Sequence, residues 1–380
     1  MISLARVVAE PIDYASSGVD TEREGLAVAS LIKAVGASGR MSGQLGAPVL
    51  LPGGFGGVVE FGDSCLALAT DGVGSKLQIA NQLGRLEGVG IDCVAMNVND
   101  LICVGAEPLA FVDYVAVPET DPDVHAVLGA SLSRGCSRAR VTLAGGETAT
   151  LPGIVNELDL SGTALGWFPR EGGITGEGLE AGDVLIGLPS SGLHSNGYTL
   201  VRAVLERSGC SLRDAAPFDA EHPSREVDLF PDNSGGASLG EVILNPTRIY
   251  VDPVVDLIME SRGEGGVCPE GSIKAIAHIT GGGLSNLLRL HGSLGWHIGE
   301  PLSAQPEFEW IAEIGSVNSK EMHRTFNMGM GMVVAVSAAA ADPVAHWLEE
   351  RLSGSRVVGE VVDQGRVVTH SDPGVRFVRY

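Results

Sequence analysis

The sequence predicts an α/β (α+β) chain of two domains, and three observations carry that prediction. Its 380 residues exceed the length at which a single hydrophobic core usually stops growing. Short apolar runs alternate with longer stretches of helical periodicity, the pattern of strands interleaved with helices. Turn-rich wording, Pro169-Arg170-Glu171-Gly172-Gly173 and then Gly176-Glu177-Gly178, marks a boundary near residues 169–182 that divides the chain into 1–169 and 170–380.

In the first half, residues 65–70 read as a buried strand, 75–85 as a helix, 109–117 as a strand and 122–139 as a helix, followed by strands at 141–144 and around 158–167. Residues 91–104 are apolar enough for a helix buried on most sides. The second half restarts with a strand at 183–188, which enters the turn Gly192-Leu193-His194-Ser195-Asn196-Gly197 and a helix from about 196 to 208. Residues 214–240 are polar and rich in Pro and Gly, so they read as a long loop or lid. A helix at 246–261, a strand at 273–279, a short helix at 283–290 and a strand at 331–336 follow. A helix at 343–352 and a strand at 356–362 close the pattern, and no fixed-period repeat stands out.

Composition excludes several function classes. A net charge of -22 argues against a nucleic-acid partner, whose phosphates demand Lys and Arg, and against anionic membrane surfaces. No run of 18 apolar residues occurs, and no charged segment followed by an apolar stretch occupies Met1 to Glu10, so a soluble chain without a secretion signal is expected. The six cysteines (Cys65, Cys93, Cys103, Cys136, Cys210, Cys268) contain no CxxC pair and sit mostly in apolar runs, which predicts reduced thiols in a cytoplasmic protein. Glycine numbers 53, about twice the usual share of about 7%, leaving many backbone positions free to approach a ligand. The four lysines are Lys33, Lys76, Lys274 and Lys320, so a Lys beside glycines stands out against 47 acids.

Three polar clusters punctuate the first half. At Asp71-Gly72-Val73-Gly74-Ser75-Lys76 a strand ends in an Asp, and two glycines precede a helix. Glycines permit close backbone approach to an anion, a helix start offers free N–H groups, and the Asp can hold a cation. The alternative is an ordinary strand-to-helix turn with Ser75 as cap. Asn97, Asn99 and Asp100 lie within the apolar helix, with Asn97 and Asp100 three apart on one face. That set suits either a metal ligand or an internally satisfied hydrogen-bond network. Gly145-Gly146-Glu147-Thr148 again follows an apolar strand, so Asp71, Asp100 and Glu147 together supply three carboxylates of the kind that magnesium and phosphates require. Asp113 is a fourth possible member, or part of a structural salt bridge. The cluster Pro52-Gly53-Gly54-Phe55-Gly56-Gly57 is a flap over a triphosphate or a tolerated hairpin loop.

In the second half, Ser190-Ser191-Gly192-Leu193-His194-Ser195-Asn196-Gly197 stands at a helix start, where hydroxyls, an amide and free N–H groups hold phosphate. His194 is a candidate acid/base group or a structural turn residue. His278-Ile279-Thr280-Gly281-Gly282-Gly283 repeats the idea, with a His ending a strand and glycines opening a helix.

Together, the order and spacing of these clusters resemble the aminoimidazole ribonucleotide synthetase (phosphoribosylformylglycinamidine cyclo-ligase) family. The carrying segments are 70–76, 90–100, 105–108, 145–148, 187–196, 246–250, 277–283 and 322–331, and the wording from Gly90 to Asp100 is closest to archaeal members. The resemblance implies a two-domain fold whose N-terminal domains pair in a homodimer, with the active site between the two domains. It implies that ATP phosphorylates the formamide oxygen of formylglycinamidine ribonucleotide, that a ring nitrogen attacks the activated carbon, and that aminoimidazole ribonucleotide, ADP and phosphate result. On this basis ATP is expected at Gly54, Gly56, Gly57, Asp71, Gly72, Gly74, Ser75, Lys76, Asn97 and Asp100, with Mg2+ held by Asp71, Asp100 and Glu147. The substrate is expected at Ser190, Ser191, His194, Ser195, Asn196, Thr280, Gly281 and Gly282, and His194, His278 and Lys76 are the catalytic candidates. Ser75 stands where the family more often has Thr, and the glycine flap is shortened. A non-catalytic nucleotide-binding paralogue, or another ATP-using member of the superfamily, is the competing reading.

Overall fold

The protein is described by a computed structural model covering residues 12–14, 16–18, 21–35, 39–51, 55–225, 237–263 and 265–380. The N-terminal half contains α1 (Thr21–Val35), β1 (Pro48–Val49), β2 (Gly57–Phe61), β3 (Ser64–Gly72), α2 (Lys76–Leu83), α3 (Val89–Cys103), β4 (Glu107–Val117), α4 (Pro122–Arg138), β5 (Thr142–Thr150) and β6 (Asp159–Pro169). Its six strands form one sheet in the order β1-β2-β3-β6-β4-β5. Only β4 and β5 pair in parallel within it.

Strict alternation along β6 explains how the sheet covers its core. Leu160, Gly162, Ala164, Gly166 and Phe168 point inward onto α3, and the intervening residues face the other side. α3 is buried along nearly its whole length. α4 begins where its sequence specifies, with Pro122 in the first turn and the Asp121 carboxylate accepting from the Asp123 and Val124 N–H groups.

The C-terminal half contains β7 (Val184–Pro189), α5 (Tyr198–Ser208), α6 (Leu239–Ile243), α7 (Val251–Ser261), β8 (Ile273–His278), β9 (Gly295–Ile298), α8 (Pro306–Gly315), α9 (Ser319–Thr325), β10 (Met330–Val336), α10 (Ala341–Arg351), β11 (Arg356–Val362), β12 (Val368–His370) and β13 (Arg376–Phe377). The second sheet runs β13-β12-β9-β11-β7-β10-β8, antiparallel except where β12 meets β9. One cluster of buried apolar side chains is continuous from the first half into the second, from Val94 and Leu101 of α3 to Ile276 of β8 and Val334 of β10. α3 is therefore shared by both halves.

Several elements differ from their expected extents. The helix expected at 246–261 begins only at Val251, because the backbone before it is drawn into α3: Thr247 N–H donates to Asp92, Tyr250 N–H donates to Asn99, and Arg248 O accepts from Asn99. The helix expected from 196 starts at Tyr198, after Gly197 at φ +78°. A Cβ at Gly197 would lie 2.3 Å from the Phe326 ring. Residues 283–289 form a 3-10 helix. The strand expected at 141–144 runs instead through Gly145-Gly146-Glu147 to Thr150, a change that relocates Glu147. In the expected lid, residues 226–236 lie outside the described residues. The part leading to them is tied down by Arg225, whose guanidinium makes a buried two-pronged bond to Glu307 at 2.9 and 2.6 Å.

Candidate functional site

The candidate site forms where the turn after β3, the middle of α3, the turn after β7 and the turn after β8 meet. α3 places its polar side chains in both directions. Asn97 donates to Asp71 O (3.2 Å) and Cys93 O (2.8 Å), while its buried Oδ1 has no partner among the described residues. Asn99 joins α3 to Arg248 O and to the Tyr250 N–H at 2.8 and 3.0 Å. Asp100, one step further, reaches His278.

The Asp71–Lys76 segment divides at this junction. Asp71 stays exposed at the end of β3 and accepts from its neighbour's N–H, Gly72, at 2.7 Å. Although the side chain keeps exposed surface, its carboxyl is raised above the ordinary Asp value. Desolvation is the largest cause and the nearby Asp100 charge adds to it, against the Gly72 N–H and His278. Gly74 takes φ +69°, and Ser75 precedes α2 without a capping bond from its hydroxyl, so the simple capped-turn reading fails.

Lys76 turns inward and has no exposed surface. Its ammonium donates at 2.9 Å to each of Asp92 Oδ1, His194 O and Asn245 O. All three N–H donors are committed, which removes Lys76 from the expected phosphate-facing and catalytic roles. Burial lowers its pKa, and the Asp92 charge works against that shift. Asp92 Oδ1 also accepts the Thr247 N–H at 2.7 Å and the Thr247 hydroxyl at 2.6 Å. The result is a buried tie between the two halves.

His278 closes β8 fully buried, with Nδ1 2.9 Å from Asp100 Oδ1. Its Nε2 is buried without a partner among the described residues. An ionised carboxylate only accepts, so Nδ1 is the donor in this contact, and in a neutral ring the lone pair then falls on Nε2. Asp71, Asp100 and His278 thus influence one another at one place. Two adjacent carboxylates that repel each other, with one carboxyl raised, are a donor set that a divalent cation completed by phosphate oxygens would fit.

His194 sits behind this rim. It takes φ +60°, is buried, and accepts the Ser191 N–H on Nε2 at 3.2 Å. Burial, followed by the neighbouring His278, Lys76 and Arg248, pushes its pKa well below the usual value, so it is neutral. Gly331 is required beside it, because a Cβ there would stand 2.6 Å from His194 Cε1 and 2.1 Å from the Tyr250 hydroxyl. Ser190 and Ser191 are also turned away: their hydroxyls bond Gln305 Oε1 and Pro246 O at 3.4 and 2.6 Å. The expected phosphate grip by these two hydroxyls is therefore corrected. Ser195 and Asn196 remain half-exposed, and Asn196 Oδ1 faces Gly281, which together with Thr280 and Gly282 is half-exposed too.

Glu147 is the clearest correction. The register runs Asp71↔Gly162↔Asp113↔Gly146, so Glu147 lies three strands from Asp71, about 14 Å at the usual spacing, with its side chain on the opposite face. The expected three-carboxylate set is not assembled within one chain. Among the described residues, no three His, Cys, Asp or Glu side chains cluster closely enough to hold a metal alone. Asp113 is on the Asp71 face, two strands away. Gly57 pairs with Leu68, and Gly56 lies against Leu68 O, where a Cβ would stand at 3.2 Å; both are strand-margin positions. Gly54 lies outside the described residues.

Asp92, Asn245, Thr247, Arg225 and Glu307 escaped the sequence reading as site residues. A buried acid in the first turn of an apolar helix was the available signal for Asp92, since such a charge needs a partner. No local pattern announces Thr247 or Glu307, whose roles arise from chain segments more than 80 residues away.

Comparisons with known proteins agree on the architecture. Residues 53–168 match the family model described as AIR synthase related protein, N-terminal domain, and residues 180–372 match the corresponding C-terminal domain. The chain is similar to phosphoribosylformylglycinamidine cyclo-ligase of Methanococcoides burtonii, at 42% identity over 93% of this chain and 96% of the relative. It is 41% identical to the Methanothermobacter thermautotrophicus protein of the same name, over 94% and 96%. The chloroplastic Arabidopsis thaliana relative is 41% identical over 93% and 82%. Among solved structures, AaThiL complexed with AMPPCP and TMP covers 93% of this chain and 94% of its own, at 18% identity and a TM-score of 0.56. Hydrogenase maturation protein HypE in complex with ATP covers 82% and 83%, at 17% identity and a TM-score of 0.53. These structural likenesses establish a shared fold.

Proposed function

The chain belongs to the AIR synthase related protein family, and from that premise we propose how its own residues carry the reaction for which its relatives are named. It is an ATP-dependent ligase of de novo purine biosynthesis, a phosphoribosylformylglycinamidine cyclo-ligase. ATP gives its γ-phosphoryl group to the formamide oxygen of formylglycinamidine ribonucleotide. A ring-closing nitrogen then attacks the activated carbon, phosphate leaves with that oxygen, and aminoimidazole ribonucleotide and ADP are released.

The observation carrying this reading is the Asp71–Asp100–His278 group at the junction of the two sheets. Asp71 and Asp100 would hold magnesium, which when bound would supply positive charge to neutralise the phosphates. The Gly72–Ser75 turn and Asn97 shape the phosphate side. His278 Nε2, kept as a lone-pair site by the Asp100 bond, accepts the proton released when the C–N bond forms. Asn196 and the Thr280–Gly282 main chain hold the substrate phosphate. Lys76 and His194 support these groups from behind.

The test is ADP release by the protein with magnesium-ATP, with and without formylglycinamidine ribonucleotide. Release that depends on the substrate supports the ligase. Tight ATP binding with no substrate-dependent release identifies a non-catalytic nucleotide-binding module.

The pairing of N-terminal sheets in a homodimer belongs to the same reading. It is supported by the sheet face turned away from α3, where Leu68, Val112 and Tyr114 are 42%, 42% and 39% exposed. α1 adds exposed Leu26, Leu31 and Ile32. Such apolar area suits a second copy better than water. Leu68→Glu together with Val112→Glu should yield monomers in analytical ultracentrifugation. The cysteines, all free thiols, agree with a cytoplasmic setting, and among the described residues no helix is long and apolar enough to cross a membrane.

A further inference from the structure

A cavity of about 500 Å3 lies between α2, α5 and residues 210–213, away from the Asp71–Asp100–His278 rim. That volume is within the range of small-molecule sites. Leu83 and Leu212 supply apolar wall, whereas Thr199, Arg202, Glu206 and Arg213 supply polar and charged groups. Thr199 Oγ1 is buried and has no hydrogen-bond partner among the described residues. Arg213 makes one long bond to Leu83 O at 3.4 Å. Arg202 pairs with no described residue, although the chain holds 47 acids and Glu206 stands one helical turn away. Two guanidinium groups with free donors outweigh the one carboxylate, in a chain whose net charge is -22. Their planar forks match phosphate oxygens.

We propose that this cavity is a second small-molecule site, one that binds a nucleoside monophosphate through Arg202 and Arg213 with its base against the Leu83–Leu212 wall. The site goes beyond the ligase reading and does not depend on it. Its position also couples it to that reaction. α2 begins at Lys76, which bonds His194 O, and α5 follows the His194 turn, so both cavity walls are helices anchored at the catalytic junction. A ligand wedged between them biases that contact.

The experiment is equilibrium dialysis of the full chain with labelled AMP, in the presence of a saturating non-hydrolysable magnesium-ATP analogue that fills the ATP site. About one equivalent of AMP per chain should remain bound under those conditions. Inorganic phosphate and adenosine should each compete for it, both more weakly than AMP itself, and failure of adenosine to compete at any concentration would overturn the placement of the base. Arg202→Gln with Arg213→Gln should weaken it more than about tenfold, and Thr199→Val should weaken it less, with thermal unfolding and substrate-dependent ADP release without AMP unchanged in both. No AMP bound beyond the analogue, or equal affinity in the double variant, overturns the proposal. Because binding is read directly, a failure of ligase turnover leaves this result interpretable.

Discussion

Asp71 and Lys76 stand five residues apart, at the end of β3 and the start of α2, yet they face opposite environments. Asp71 is on an open rim beside the partly exposed Asp100 and above the buried His278, its carboxyl raised. Lys76 is sealed beneath it, with every donor satisfied and Asp92 as counter-charge. One region is left electrostatically strained and the other is closed. The contrast separates residues left open to a ligand from residues that hold the platform, a distinction that proximity in sequence hides.

The largest effect is expected from Asp100→Asn. Substrate-dependent ADP release should fall about 100-fold or more, the upper end for losing a metal-site partner, while the thermal midpoint stays near that of the parent. Lys76→Met should do the reverse in kind. An unpaired Asp92 left in the core is expected to cost about 3–5 kcal/mol in urea unfolding, with any loss of activity following loss of folded protein. A stability effect below about 1 kcal/mol would move Lys76 back among the reacting groups.

Asp71→Asn sharpens the contrast by pH. A carboxyl whose folded pKa is raised makes the folded state bind its proton more tightly than the unfolded chain does. Its ionisation therefore removes stability as pH rises from the ordinary value of 3.8 through the raised one, and neutral Asn restores it. The variant should melt slightly higher than the parent at pH 7 and should need at least about tenfold more magnesium. In the parent, magnesium affinity should begin to fall at a higher pH than an ordinary Asp would give. Glu147→Gln is expected to have the smallest effect, less than about twofold on ADP release per folded dimer, because that side chain shares the Tyr114 face of the sheet, away from Asp71 and Asp100 of its own chain.

Much of the fold was legible because it rests on local periodicity. The alternation of β6, the apolar length of α3 and the Asp121-Pro122 start of α4 all read directly. The site was legible in part. Asp71, Asp100 and His278 stand at strand ends or mid-helix with apolar neighbours, so their need for partners shows in the sequence. The direction of a side chain is set by register, which is non-local. Extending β5 through Gly145-Gly146 decided that Glu147 faces away, and neither glycine signals this. Lys76 looked like a phosphate ligand because its three acceptors come from residues 92, 194 and 245, far along the chain.

We propose that His278 works through Nε2 while Asp100 fixes its tautomer. The most direct measurement is substrate-dependent ADP release by His278→Gln at saturating magnesium-ATP, set beside its thermal unfolding. The claim predicts that release falls about 100-fold with the unfolding midpoint within a few degrees of the parent. Near-parental release from the folded variant would contradict it.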